Sequence, residues 1–269
     1  MIHISSSVVL GPLGDPIDAR NPRIGWHNLV TAENVTAEEE ADGEPVINIA
    51  NPATYLRWRG TTTGQQWVQV TLSTAADVNY FAIAKHNLGS TAATIQFQSS
   101  TDGSSWSNVT SAIMLNTDYV VIYEFDTVFA RFFRLLITPG SAAPSIAVLY
   151  LGEILILQRR IYVGHTPLPY GRKTTVSNGR SESGEFLGRV LRRQFLESSV
   201  DMQNLTPTWF RLYMEPFIQA ATTTPFFWCW RPSSYPDECG YAWLSDDVKM
   251  QNSRANGMVS ASFNMQGVR

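Results

Sequence analysis

Apolar and polar residues alternate in short runs from about residue 46: "PVINI", "QWVQVTL", "VNYFAIAKH", "ATIQFQSS", "YVVIYEFD", "RFFRLLITP" and "IAVLYLGEILILQRR". A period near two, carried by Val, Ile, Tyr and Phe, predicts strands with one face inward. The clusters "TTTGQ", "NLGSTA" and "TDGSS" separate the runs as turns, which predicts a β-sandwich with no long helix in this half. In "QWVQVTL" the alternation is imperfect: Trp67, Val68 and Val70 supply the apolar face, with Gln66 and Gln69 outward.

The stretch "FQSSTDGSSW" runs from a strand into Asp102-Gly103, two residues that tolerate the positive φ of a type I′ hairpin turn. Trp106 is then expected to return to the core, so that Trp106→Ala would unfold the first unit. A calcium loop needs about six to eight oxygen ligands. Asp102 is the loop's one carboxylate and no second acidic cluster lies near it, so no metal is assigned here.

The pattern changes after Arg160. "HTPLPYGRKTTVSNGRSESGE" is polar and rich in Gly and Pro, which predicts a linker or an extended arm over 164–185. A strand pair, "EFLGRVLRRQFLESSVDMQNL", follows. Thr206-Pro207 then opens a helix near 206–221, with Trp209, Leu212, Tyr213, Phe217 and Ala220 as its apolar stripe and Pro216 as a kink. "FFWCW", "YAWL" and "MVSASFNM" return to strands, the last with Val259, Ala261, Phe263 and Met265 inward. The chain is therefore expected to be all-β in three parts: an N-terminal arm over 1–19, a sandwich over 20–157, and a β-domain over 158–269 carrying one α-helix.

Composition agrees: 44% apolar, 16% charged and 12% aromatic residues, with 18 Gly and 14 Pro, describe a folded β-rich chain. Its 269 residues suffice for two cores. The net charge of −3 divides unevenly, −7 over residues 1–155 and +4 over the rest. Glu33, Glu38, Glu39, Glu40, Asp42 and Glu44 fall in one segment, expected to be a solvated loop or short helix. The basic half is too mild to predict nucleic-acid binding. No apolar run reaches the roughly 20 residues of a membrane helix, and no secretory signal is seen, so assembly in a host cytoplasm is expected. Cys229 and Cys239 are expected to be reduced and partly buried.

Little chemistry is offered. His3, His27, His86 and His165 have no metal-ligand spacing, and no nucleophile elbow, phosphate loop or dinucleotide fingerprint occurs. No catalytic residue, metal or cofactor is predicted, and the protein is not expected to be an enzyme. Asp237-Glu238 and Asp246-Asp247 read as solvated turns. "RWR" at Arg57–Arg59 has two readings: a cation–π cluster for an anionic sugar or phosphate, or a core Trp58 with both arginines in water. His86 either lines a loop-borne pocket or serves a turn. The candidate ligand-binding residues are accordingly Tyr55, Arg57, Arg59, His86 and Asn87, on the 51–60 and 85–92 loops.

Four segments, "QWVQVTL", "FQSSTDGSSW", "ARFFRLLI" and "AVLYLGEI", resemble in order the discoidin, or coagulation-factor type C, family of galactose-binding-like jelly-roll sandwiches. The resemblance implies structural roles for Trp67 and Trp106, a central strand over "ARFFRLLI", and ligands held by variable loops at one end. The disulfide of many members has no counterpart, since both cysteines lie in the second half. Residues 20–269, through "NPRIGWHN", "AIAKHNLGS", "IYVGHTPLP" and "FFWCWRPSSYPDECGYAW", also resemble minor tail and distal tail (baseplate hub-type) proteins of tailed bacteriophages. That likeness implies a second domain of tail-tube-like sandwich or barrel form, although the order of the two domains is the reverse of the usual one. It implies a structural virion protein that forms a homo-oligomeric ring in the tail tip or baseplate beside tail-tube, hub or tape-measure proteins. The alternative is a carbohydrate-binding adhesin module that contacts host-surface polysaccharide.

Overall fold

The computed structural model describes residues 1–5, 18–161, 163–253 and 257–269. Most of the arm expected over 1–19 lies outside them; of its described residues, Ile2–Ile4 pairs in parallel with Val121–Thr138 and Asp18–Arg20 begins a 3-10 turn. The described residues are nearly all β, in a nine-stranded and an eight-stranded sheet, with short 3-10 turns and one longer helical segment.

The first sheet is organised by two long strands. "QWVQVTL" and "VNYFAIAKH" are one strand, Gln66–His86, and "YVVIYEFD" and "RFFRLLITP" are another, Val121–Thr138. Between the paired runs the register of the two strands slips, at Thr71/Ala76 and Val78/Tyr80, with Ser73, Thr74 and Asp77 exposed. A bulge bends a strand without ending it, so each strand serves both ends of the sandwich. Val68 and Val70 point inward as expected, with Leu72, but Gln66 is buried beside them and Trp67 only half-buried, so these two exchange the faces expected from sequence. Inside, the Gln66 amide nitrogen donates to the Thr62 carbonyl at 2.8 Å, while its Oε1 atom is buried without a hydrogen-bond partner.

The sandwich core is aromatic. Phe81 stacks on Phe97 at 4.8 Å and on Tyr123 at 5.6 Å, and Phe97 meets Phe125 and Phe133. Such pairs contribute about 0.5–1.5 kcal/mol each beyond their burial. "PVINI" is not a strand: Val46–Ala50 is a 3-10 helix that buries Val46 and Ile49, three positions apart. The acidic segment is neither solvated throughout nor helical, since Val35–Ala37 pairs with Val68–Val70 and Ala41 bridges to Glu44.

Ser145–Gly152, "SIAVLYLG", is buried on both faces. Ile146, Leu149 and Leu151 join the sandwich core. Ala147, Val148 and Tyr150 join a second apolar layer with Tyr80, Ala82 and Ala84 of the neighbouring strand. That layer is completed from the other sheet by Phe227, Cys229, Cys239 and Tyr241. Tyr150 and Phe227 meet edge to face at 5.2 Å, and the Tyr150 hydroxyl donates to the Pro225 carbonyl at 3.0 Å. Arg23 and Glu124, both buried, form an ion pair at 2.9 Å across the same seam. The two units thus share a core.

In strand order, the second sheet runs Leu155–Ile156, Arg23–Gly25, Phe226–Cys229, Cys239–Leu244, Val259–Val268, Phe186–Leu205 and Arg172–Arg180, with the eighth strand, Lys249–Asn252, also pairing with Val259–Val268. Arg23–Gly25 and Leu155–Ile156, assigned by sequence to the sandwich, pair within this sheet. Val259, Ala261, Phe263 and Met265 face inward as expected. The helical segment covers that face over Pro207–Ala221. Its buried stripe is Phe210, Met214, Phe217 and Ala221: Phe217 is buried and Trp209 packs against the core as expected, but Leu212 and Tyr213 are exposed and Phe210 and Met214 take their place. A π turn over Phe210–Met214 lies just before Pro216, where wider hydrogen bonding accommodates the missing N–H without breaking the helix. Thr206 does not cap the helix through its side chain; its hydroxyl accepts from the Gln158 amide.

The segment expected to be a linker or loose arm is half of a β-hairpin. Arg172–Arg180 pairs with residues 186–196, and the turn closes through the Ser181 N–H donating to the Glu185 carbonyl. Phe186–Leu205 is one strand rather than a strand pair. Only its second half also pairs with Val259–Val268, so the outer hairpin projects from the sheet with Phe186, Leu187, Val190 and Leu191 exposed.

Candidate ligand-binding site

The loops that carry the candidate residues gather where Gln66–His86 ends and Ser145–Gly152 begins, His86 pairing with Ile146 and Trp58 pairing with the same residue. The 51–60 segment is rigid. Asn51 accepts the Ala53 N–H at 2.9 Å, the Asn48 amide donates to the Arg57 carbonyl at 2.8 Å, and the Tyr241 hydroxyl donates to the Pro52 carbonyl at 2.9 Å. On this pinned loop the Tyr55 ring is 77% exposed. Arg57 and Arg59 both pair with Glu44, at 3.2 and 2.8 Å, and each keeps about half its side chain in water. Trp58 between them is fully buried, its indole N–H donating to the Glu39 carbonyl. Of the two readings of "RWR", the buried Trp58 with outward arginines is the one formed. Glu44, which orients both guanidinium groups, was not distinguishable by sequence from the other acids of its run.

His86 and Asn87 spend their polar side-chain atoms on hydrogen bonds within the fold. The His86 Nδ1 atom accepts the Leu88 N–H at 3.2 Å, so the proton sits on Nε2, which donates to the Tyr119 carbonyl at 2.8 Å. Burial pulls this imidazole down to about 4, opposed by the Tyr119 hydrogen bond and by the nearby Asp118 charge. Asn87 donates to the Ala143 carbonyl and accepts the Ser145 N–H, tying two loops together. The Asp118 carboxylate accepts the N–H groups of Gly89 and Ser90.

The 100–106 loop does not form the expected type I′ turn. Gly103 has φ +75°, but Asp102 is not in the left-handed region. Its carboxylate instead folds the loop by accepting the N–H groups of Ser104 and Ser105, each at 2.8 Å, and the Ser100 hydroxyl. The Ser105 and Ser104 N–H groups, then the Ser100 hydroxyl, hold the carboxyl far below the usual range. Trp106 does not re-enter the core: it is half-buried, with the Arg134 guanidinium 4.1 Å over its ring. Arg134 is in turn fixed by donating to Gln98.

Cys229 and Cys239 are free thiols, fully buried as cross-strand partners, and burial pushes Cys229 up. Among the described residues no group of three His, Cys, Asp or Glu side chains is arranged to hold a metal ion, and no helix is long and apolar enough to cross a membrane.

Residues 30–149 match the model of the F5/8 type C domain, so the N-terminal sandwich is discoidin-like. No curated protein matches the chain. Among solved structures, a chitosan-binding module from a chitosanase/glucanase of Paenibacillus sp. IK-5 is 19% identical, with 47% of this chain and 99% of the module aligned at a TM-score of 0.39. A module of a family 31 glycoside hydrolase from Clostridium perfringens is 17% identical over 46% of this chain and 94% of its own, with a TM-score of 0.39. A pectin binding carbohydrate binding module is 19% identical over 48% and 92%, with a TM-score of 0.38.

Proposed function

We propose that the protein binds carbohydrate through the 51–60 loop of its discoidin-like sandwich. The observation that carries this reading is Tyr55: a large aromatic ring left in water on a loop pinned at three points. A ring held rigid before contact loses little conformational entropy when a sugar stacks on it. The half-exposed guanidinium groups of Arg57 and Arg59, set by Glu44, supply planar donors for hydroxyl or carboxylate oxygens. The test is a glycan array of the full chain, followed by calorimetry on any hit. Tyr55→Ala should abolish binding and Arg57→Ala weaken it, with the unfolding midpoint unchanged. A hit that Tyr55→Ala binds as tightly as wild type removes this loop as the site.

The hairpin supports a second, structural reading, in which the protein is a self-assembling component of a phage tail tip or baseplate, with the sandwich displayed outside. Phe186, Leu187, Val190 and Leu191 leave four large apolar side chains exposed on a projecting hairpin, an uncommon cost for a monomer. Light scattering of the purified full chain should give a closed oligomer, and Leu187→Asp with Leu191→Asp should give a monomer of unchanged far-UV circular dichroism. A wild-type chain that stays monomeric at high concentration refutes this role.

A further inference from the structure

A cleft of about 440 Å³ lies between the two units, remote in sequence from the 51–60 loop; Lys85 forms its wall on the sandwich side, and Arg172, Trp243 and Arg269 line it from the second sheet. Its charge is one-sided. Lys85, Arg172 and Arg269 all border it, no carboxylate side chain does, and none of the three is in an ion pair among the described residues. Lys173, next to Arg172, is by contrast neutralised by Glu197 at 3.0 Å. An α-carboxylate at Arg269 would offset at most one of the three charges.

The backbone is bent to place Lys85 here. Along Gln66–His86, Phe81 and Ile83 face the sandwich core while Ala82 and Ala84 face the seam. Strict alternation would drive the Lys85 side chain into the core. Instead Lys85 has φ +53°, a left-handed conformation that costs a lysine roughly 1–2 kcal/mol. The side chain emerges exposed at the cleft, and the pairing with Ser145–Gly152 skips it between His86↔Ile146 and Ala84↔Val148. On the facing side, the Arg269 guanidinium lies 3.8 Å over the Tyr119 ring, which fixes its position. Trp243, 37% exposed, adds a flat apolar surface beside the charges.

Unpaired cations beside an aromatic face match a ligand with a negative group on an apolar-faced ring. We propose that this cleft binds an acidic saccharide, its carboxylate or phosphate held by Lys85, Arg172 and Arg269 and its ring against Trp243. The site goes beyond the 51–60 loop and is independent of it: Tyr55→Ala leaves the cleft intact, and the cleft variants leave the loop intact.

The experiment is calorimetry on the full chain at low salt with four probes: a galacturonate trisaccharide, the neutral galactose trisaccharide, mannose 6-phosphate, and inorganic phosphate. Binding is expected for the uronate or the sugar phosphate, which distinguishes the source of the anion, and not for the neutral sugar. Lys85→Gly removes a charge while relieving the left-handed backbone, so the fold is retained. It and Arg172→Gln should each weaken binding about tenfold, the scale of one charge-assisted hydrogen bond. Trp243→Ala should abolish the preference for a sugar-linked anion over inorganic phosphate. Equal binding of the neutral trisaccharide, equal binding of inorganic phosphate, no binding by any acidic sugar, or wild-type affinity in Lys85→Gly with Arg172→Gln would each overturn the proposal. Loss of binding in Tyr55→Ala but not in the cleft variants would assign the ligand to the loop instead.

Discussion

His86 makes the sandwich sensitive to mild acid by an amount that follows from its surroundings. Its Nδ1 atom must stay unprotonated to accept the Leu88 N–H, and its Nε2 proton is used on the Tyr119 carbonyl. A second proton therefore breaks one hydrogen bond and buries a charge. The folded value of about 4 lies below the ordinary 6.5. The unfolded chain thus binds more protons in the interval between them, and stability falls as the pH is lowered through it. The contribution is fully present above the ordinary value, is reduced by about 2 kcal/mol at pH 5, and by about 3 kcal/mol at pH 4. Urea unfolding followed by tryptophan fluorescence at pH 7.5, 6 and 5 measures it, with His86→Gln as the reference because glutamine keeps one donor and one acceptor. At a slope of about 1–3 kcal/mol per molar urea, wild type should lose roughly 1 M more in midpoint than the variant between pH 7.5 and 5. His3 and His165 are also pulled down by burial, and they cancel in the comparison since both proteins contain them. Equal pH dependence in the two proteins, or an NMR titration of His86 with a midpoint above 6, would refute this account.

Other perturbations have expected outcomes. Trp106→Ala should cost about 0.5–1 kcal/mol by loss of the Arg134 contact, measurable by chemical denaturation, and it should not unfold the sandwich. Phe133→Ala, within the stacked core, should cost about 3–5 kcal/mol in the same assay. Asp102, held low by the Ser105 and Ser104 N–H groups, contributes stability that is present above the usual aspartate value and is lost as pH falls toward its folded one. Carbon-13 NMR should therefore find its carboxyl still ionised below pH 3, and Asp102→Ala should speed amide exchange at Ser104 and Ser105.

The inward positions of "MVSASFNM" were legible in the sequence because that strand has one dry face and one wet one, which writes a period of two. The long strands were not legible as continuous, because the polar Ser73, Thr74 and Asp77 separate two apolar runs and only pairing with the partner strand makes them a register shift within one strand. "AVLYLG" has no period, as expected of a strand buried on both faces, but that signal does not say what covers the second face. The site was less legible than the fold. Tyr55 and Trp58 are aromatic neighbours in one loop, yet one is in water and the other fully buried, a difference made by the Glu39 carbonyl waiting for the Trp58 indole. His86 looked available because its partners, Leu88 and Tyr119, are backbone groups that composition cannot reveal. Lys85 did leave a mark, a lysine inside the apolar run "YFAIAKH", where alternation demands a core residue.

The layer shared between the sheets has a consequence for engineering. Discoidin-like units are attractive as portable cassettes, but residues 20–157 of this chain would carry away a sheet whose outer surface is Tyr80, Ala82, Ala84, Ile122, Val148 and Tyr150. Stripped of Phe227 and Tyr241, that surface would drive clumping of the excised unit, and Arg23 would lose the sheet neighbours Phe226–Cys229 beside which it now meets Glu124. Transplanting the sandwich into another protein would require repainting that outer surface with polar side chains first.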